Sequence, residues 1–367
     1  MSTVTLRHDR VRGPSEPPEE TPRRIHRLAV ALAVLTYAVA LLGGGVNSTD
    51  STLADPHWPS FGGSWLPDLS RMLEHPGLLL EHAHRVLVSI VGLGAIALAV
   101  LLARNDPRRW VRRLGVSACV LVLIPAILGG LTVLLGKSPV LSVIHNALAM
   151  LLIAGLTALA VATGPGWFAE AAVLPRRPAR SLLGFAAAAA IAIWLQVVLG
   201  GVPRHATADF GGPSLVLIGD AIHILWAFVV FAVVVVAYLE VGRVRSAARE
   251  DRARVEGLVE EGTPPVLARV LRPALGLVLL LVVQLFLGIV AFAAQPKTPP
   301  SVDELAAAAT ASRAEAMHSL TASAHQAAGV LMLVVAVVFL LRATRLLALA
   351  RPPDPASSGS VIEEASW

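Results

Sequence analysis

Eight apolar runs, each long enough to cross a bilayer, decide what this chain can become. They cover 28–46, 78–102, 114–135, 140–163, 182–202, 214–239, 270–293 and 319–342. A helix needs about 20 mostly apolar residues to span the hydrocarbon core. In lipid every backbone N–H and C=O must find its partner within the protein, which leaves helices or closed barrels. These runs are long and do not alternate, so they predict helices. Composition agrees: 55% of residues are hydrophobic and 15% charged, against about 25% charged in an average soluble domain. A soluble enzyme, a disordered protein and a nucleic-acid binder are thereby excluded. Cys119 is the one cysteine and lies in an apolar run, so neither an intrachain disulfide nor a cysteine-rich metal site can form.

Basic residues set the orientation, because Lys and Arg stay on the cytoplasmic side. Of the 30 Lys and Arg, 24 fall in the N-terminal tail, the stretches 103–113, 164–181 and 240–272, and the C-terminal end. Five fall in the alternate loops (Arg71, Lys137, Arg204, Lys297, Arg313), and Arg85 sits inside the second run. The asymmetry predicts both termini in the cytoplasm and a multi-pass protein of the cell membrane. The loops at 47–77, 136–139, 203–213 and 294–318 then face outward. Residues 1–27 read as a disordered cytoplasmic tail, not a cleaved signal. The charged stretch 243–261 predicts a helix that serves as a solvated connector.

The chain repeats itself once. Gly44-Gly45-Val46 ends the first run and Gly200-Gly201-Val202 the fifth. Glu81 precedes His84 by three residues in the second, as Asp220 precedes His223 in the sixth. Leu128-Gly129-Gly130 answers to Leu287-Gly288-Ile289, and His145 to His325. Four spans per half is an even number, so both halves enter the membrane in the same direction. The expected fold is an all-α integral membrane protein of eight transmembrane helices in two pseudo-symmetric parallel four-helix bundles. The N-terminal half is 28–163, the linker 164–181, the C-terminal half 182–343 and the cytoplasmic tail 344–367.

His84, His145, His223 and His325 each lie near the outward end of an even-numbered span. Ionisable residues inside a membrane are costly and functional by default. Two histidines at one depth in a bundle core form a pair of axial ligands for one haem iron. The expected pairs are His84 with His145 and His223 with His325. For any one of them alone, an interfacial or hydrogen-bonded role is the plainer account; the repetition favours ligation. His82 is two positions from His84 and points about 200° away. His318 is seven residues before His325 on the same face and rivals it. Glu81 is either an interfacial partner of Arg85 or a proton acceptor beside a haem. Arg85 and Arg204 are candidates for haem propionate contacts, since guanidinium binds carboxylate in bidentate fashion; snorkelling to the interface is the alternative. The glycines at the span ends permit close helix approach and leave room for a flat macrocycle.

The stretch from Gly44 to Pro59, GGVNSTDSTLADPHWP, is similar to the first outer-loop signature of the haem A synthase family, approximately G-x-x-V-x-x-T-x-S-G-L-x-x-P-D-W-P. Glu81-His82-Ala83-His84-Arg85 matches its E-x-x-H-R. Gln196 to His205 resembles the end of its fifth span, and His325-Gln326-Ala327-Ala328-Gly329 the start of its last. The resemblance covers roughly 28–343. It implies oxidation of a methyl substituent of haem O to the formyl group of haem A, by successive hydroxylations and loss of water. It further implies haem b as resident cofactor on His223 and His325, haem O as substrate on His84 and His145, and Glu81 as the acidic residue beside the substrate. The implied partners are a haem O synthase, the cytochrome oxidase assembly machinery and the lipid bilayer, with no nucleic acid; a homo-oligomer is left open. The chain departs from the pattern in three places: the outer-loop cysteine pair of many bacterial members is missing, Thr52 replaces a Gly, and His57 replaces an Asp. Two other functions compete. A di-haem electron-transfer protein would use the same histidines. A transporter on parallel repeats would need polar groups at mid-membrane, where these spans are apolar.

Overall fold

The computed structural model describes residues 21–167, 176–206, 212–256, 265–294 and 308–350. Nearly all of them are helical. The helices are α1 (Arg23–Ser48), α2 (Leu69–Glu74), α3 (Pro76–Asn105), α4 (Arg109–Leu134), α5 (Pro139–Thr163), α6 (Arg176–His205), α7 (Gly212–Glu256), α8 (Pro265–Ala293) and α9 (Ala308–Leu349). All but the short α2 are long and apolar enough to cross a membrane, eight in number among the described residues. The protein is therefore a multi-pass membrane protein. Proline opens α3 and α5 at the first helical position, where its fixed φ suits the turn and its missing N–H has no partner to lose.

Helices outrun the apolar segments that predict them. Helix α1 begins at Arg23, so residues 23–27 belong to it and not to a disordered tail. Helix α7 continues through the charged stretch to Glu256, and α9 begins at Ala308, within the stretch read as an outer loop. Hydropathy marks where lipid ends; backbone hydrogen bonding carries a helix past that boundary. The expectations for residues 1–20, 168–175, 207–211, 257–264, 295–307 and 351–367 lie outside the described residues.

Packing follows two matching circuits. Helix α1 packs on α3 and α5, α3 on α4, and α4 on α5. Helix α6 packs on α7 and α9, α7 on α8, and α8 on α9. Between these sets α1 meets α9, α5 meets α6, and α5 meets α9. Exchanging α1 with α6 and α5 with α9 converts the first of these junctions into the second. Helix α5 serves both sets. Leu152, Leu156 and Leu159 join a buried cluster with α1, α3 and α4, while Met150 and Ile153 join one with α6 to α9. Lipid tails are as apolar as Leu, so close packing must hold such helices together. The run Ala186, Ala189, Ala190 and Ile193 on α6 is buried accordingly. Leu93, Leu225 and Phe228 stay exposed for lipid to cover.

Candidate functional site

The four histidines sit in four copies of one seat. On the preceding long helix a glycine faces the imidazole Cε1 of each: Gly43 faces His84, Gly129 faces His145, Gly200 faces His223 and Gly288 faces His325. A methyl group on these glycines would lie 3.0, 3.0, 2.8 and 3.0 Å from that carbon. Only the missing side chain lets each ring lie against its helix wall. In every copy Leu precedes the Gly: Leu42, Leu128, Leu199 and Leu287. The match places Gly43-Gly44 opposite Gly200-Gly201, one residue earlier than the Gly44-Gly45 pairing expected from sequence. The run of three glycines at 43–45 hides that register. The second glycine of each pair faces the neighbour of a histidine across the junction, Gly44 against Gln326 and Gly201 against Asn146. Two more bonds repeat there: Tyr37 Oη donates to Ala327 O at 3.1 Å, and Trp194 Nε1 to Ala147 O at 3.1 Å.

One turn before each glycine the halves part. His84 Nδ1 donates to the carbonyl of Val39 at 3.1 Å, and His145 Nδ1 to that of Pro125 at 2.7 Å. A carbonyl can only accept, so the proton resides on Nδ1 and Nε2 keeps its lone pair. Metal-ligating histidines use this arrangement, giving one ring N–H to a carbonyl and the other nitrogen to the metal. The two rings are close enough to interact electrostatically. In the other half the equivalent positions are Gln196 and Gln284. Each approaches the Nε2 of its histidine at 3.3 Å, His223 and His325 respectively. Four buried polar atoms are left without partners there: Nδ1 of both histidines and Oε1 of both glutamines. Buried polar groups are nearly always satisfied, so four orphans in one place mark a site built for something else. The rings of His223 and His325 are 6.1 Å apart, centre to centre. A metal bonded to one nitrogen of each ring at about 2 Å would hold the ring centres roughly 6 Å apart. Among the described residues no three or more of His, Cys, Asp and Glu gather to hold a bare metal ion. Pairs of histidines suffice where a porphyrin supplies the other ligands.

His325, and not His318, faces His223; the His318 ring instead contacts Ala291 O at 3.3 Å. His82 turns away from His84, as its position on the helix requires, and bonds Asp55 Oδ2 at 2.8 Å. That contact belongs to a clamp over the N-terminal half. Asp55, 3% exposed, also accepts from His57 N at 3.0 Å, His57 Nδ1 at 2.9 Å and Gly62 N at 2.7 Å. Burial alone would raise its carboxyl, yet the bonds from His57, His82 and Gly62 hold it well below the usual carboxylate range. Arg85 bonds the carbonyls of Asp55 and His57 at 2.8 Å and of Ser60 at 3.1 Å, and pairs with Glu81. Glu81, buried at 4% exposure, accepts from Asp55 N at 2.8 Å. The loop so fastened lays Trp58 over Gly130, where any side chain would collide with the indole. Asp55 and the extension of the Leu128-Gly129 and Leu287-Gly288 match to all four histidines are what sequence reading missed. The repeat was legible as Leu-Gly in four helices; Asp55 carried no signal beyond the motif around it.

Arg204 reaches from α6 into the junction. It donates to Gly44 O at 3.1 Å and bonds Ser48 Oγ, and its charge is felt at His325. Ser48 also contacts Ser323 Oγ at 2.6 Å and accepts from Ser319 Oγ at 2.9 Å through its carbonyl.

The model of the COX15-CtaA family, described as cytochrome oxidase assembly protein, matches residues 1–157 and 74–211. The chain belongs to this family. Together the matches span the first set of helices and all of α6, so they take in the seats of His84 and His145 and the glycine half of the third. A relative from Lysinibacillus sphaericus (strain C3-41), named heme A synthase, is 28% identical over 141 residues. That is 38% of this chain and 45% of the relative, so the chain spans less than half the length of the curated relative it matches.

Proposed function

We propose that this protein is a membrane haem A synthase, oxidising the methyl group of haem O to the formyl group of haem A for cytochrome oxidase. The observation that carries the reading is the repeated Gly-His seat, two per half, with a clamped loop over the N-terminal pair. His84 and His145 hold the substrate iron, their Nδ1 protons fixed on carbonyls and their Nε2 lone pairs available. His223 and His325 hold haem b, with Gln196 and Gln284 beside them. Bound haem supplies the oxidising and electron-carrying chemistry; the chain supplies position, dryness and proton handling. The loop closed by Asp55 and Arg85 keeps water from the substrate half. Glu81, one turn before His84 on nearly the same helix face, accepts protons as the methyl group is oxidised. Arg204, buried at the junction without a carboxylate partner among the described residues, is suited to a propionate. Arg85 is committed to the loop and to Glu81, which leaves that role to Arg204 in this reading.

The four-helix sets form two parallel bundles in this reading, supported by the matching circuits and the repeated seats. The basic asymmetry supports a cell-membrane protein with both termini cytoplasmic, the seats near the outer face, working beside a haem O synthase and the oxidase assembly machinery. Pigment extraction from cells that supply haem O tests the chemistry. The parent chain should yield haem A, and Glu81→Gln should retain haem b yet stall at haem O or a hydroxylated form. A Glu81→Gln variant as active as the parent would leave Glu81 as the partner of Arg85 alone. A parent chain that binds two haems and makes no haem A would instead be an electron carrier. For orientation, cysteines introduced at Ser64 and Ser246 should label from outside and inside respectively.

A further inference from the structure

Between the clamped loop and α3 the chain runs WLPDLSRMLE, residues 65–74. Its last six residues form α2, too short a helix to hold itself in water. Asp68 caps it, accepting from Ser70 N at 3.0 Å and Arg71 N at 3.3 Å. At 3.6 residues per turn its side chains fall on three faces. Met72 is buried, and α2 packs on α3. Leu69 and Leu73, four residues apart, share a second face. Ser70, Arg71 and Glu74 share the third. Arg71 turns back to the clamped loop: a methyl group on Gly62 would lie 3.6 Å from its Nη1, and Gly62 N is a donor to Asp55. Trp65, Leu66, Leu69 and Leu73 are 65–78% exposed, as bare as the lipid-facing Leu93 and Leu225 at 71% and 67%.

Position says what covers this face. Only His75 separates α2 from α3, which is long and apolar enough to cross the membrane. Its 30 residues make a rod about 45 Å long, the thickness of a bilayer with its headgroups, of which the hydrocarbon takes about 30 Å. The start of α3, and α2 beside it, therefore sit at headgroup level. A neighbouring turn marks the same level. Leu134 and Leu135, at the end of α4, are exposed, and two residues later Lys137 pairs with Asp50 of the same loop. Trp belongs at headgroup level, and a helix with one apolar and one polar face lies in that plane with the apolar face about 5–10 Å into the headgroup–acyl boundary. We propose that α2 is an interfacial helix, its Trp65, Leu66, Leu69 and Leu73 set into the lipid surface, and that through Arg71 it ties the clamped loop to the membrane. Each face then has its own medium: protein for Met72, lipid for the leucines, water for Ser70 and Glu74. The bare face carries no charge and adjoins a span, so lipid and not a docked protein is its occupant. The proposal stands apart from the haem reading and holds whichever side of the membrane this end faces.

The test uses the full chain in phosphatidylcholine vesicles, with Cys119→Ser so that one introduced cysteine carries a nitroxide label. Labels at Leu69→Cys and Leu73→Cys should be reached by oxygen, which dissolves in lipid, and shielded from a water-soluble nickel chelate. A label at Glu74→Cys should show the reverse, a several-fold difference in the accessibility ratio. In vesicles of brominated phosphatidylcholine, Trp65→Phe should lower the fraction of tryptophan emission that is quenched. Labels at 69 and 73 that the nickel chelate reaches as freely as at 74 would put the face in water. Labels there shielded from both reagents would put it against protein. Either result, or quenching unchanged by Trp65→Phe, overturns the interfacial helix. For the tie, Leu69→Gln together with Leu73→Gln should speed limited proteolysis between residues 55 and 66 several-fold in the same vesicles. A loop as protected as in the parent overturns the tie.

Discussion

The two halves use the same glycines to seat their histidines and then treat the imidazoles differently. In the N-terminal half the residues one turn before the glycines, Val39 and Pro125, offer only carbonyls, and each ring is locked in one tautomer. In the C-terminal half Gln196 and Gln284 stand there, and each ring is left with an unmet nitrogen. The coverings differ as well. Between Ser48 and Pro76 run 27 residues, enough for the clamped loop, while only six separate His205 from Gly212. Gly130 lies under Trp58, whereas its counterpart Ile289 is 70% exposed. Among the described residues, a loop closes one half of this duplicated scaffold and none is seen over the other. That division suits a site where a substrate must be enclosed and a site where a cofactor stays.

The sharpest way to break this comparison is to fill a seat. Gly200→Val or Gly288→Val places carbon against the imidazole edge, and should empty the C-terminal pair while sparing the other. Gly43→Val or Gly129→Val should do the reverse. Haem content and spectrum of the purified variants would show one site lost from each pair, a change of tenfold or more in occupancy. If the two kinds of variant lose haem alike, the halves are not separate sites. Replacing His223 or His325 by Ala should reproduce the C-terminal loss.

Changing the glutamines probes the second difference. Gln284→Leu keeps the volume and removes the amide, and loss of a partner beside a metal-ligating histidine typically weakens the metal site about 10–100-fold. The resident haem should dissociate more readily and change its reduction potential. The equivalent change Val39→Ala, which leaves the carbonyl in place, should do neither. A Gln284→Leu protein with unaltered haem affinity and potential would reduce the glutamines to packing residues.

How much of this was open to reading from sequence varies with the physics involved. Span number was legible, because lipid imposes a minimum length on every helix that crosses it. The helix extensions at Arg23 and Ala308 were not, since hydropathy is silent once a helix leaves the membrane; the one toward Glu256 was, as a charged helical stretch. The pairing of Gly43 with Gly200 was obscured by three consecutive glycines, any of which fits the pattern. The role of Asp55 depended on a loop folding back upon α3, a contact between residues 26 to 30 positions apart that no local period encodes. His82 is the instructive case: helix geometry excluded it as a ligand, and its real partner appeared only with the loop in place.

The loop itself gives a smaller effect. Gly130→Ile copies the C-terminal half into the N-terminal one and must displace Trp58. Overpacking of this kind costs about 1–3 kcal/mol, so the loop should open while the helices hold. Limited proteolysis between residues 55 and 66 should accelerate, and haem A formation should fall with resident haem unchanged. A loop as protected as in the parent would mean that Trp58 is dispensable for closure.

The smallest effect concerns pH, and its sign follows from Asp55. Four donors favour the ionised carboxylate, so its folded value lies well below the ordinary carboxylate value, about 3.9 in an unfolded chain. A group lowered on folding contributes its full stabilisation above the unfolded value and loses it as pH falls toward the folded one. Between pH 7 and pH 5 the Asp55 contacts should therefore change little, and the loop should begin to loosen only below about pH 4. Asp55→Asn, unable to ionise, should give a loop already loose at pH 7 with no further acid step from this residue. Hydrogen exchange of the backbone N–H groups of His57 and Gly62, followed from pH 7 downward after correction for intrinsic rates, distinguishes the cases. A loosening of the parent loop centred well above pH 4 would not come from Asp55 and would remove it from the centre of the clamp.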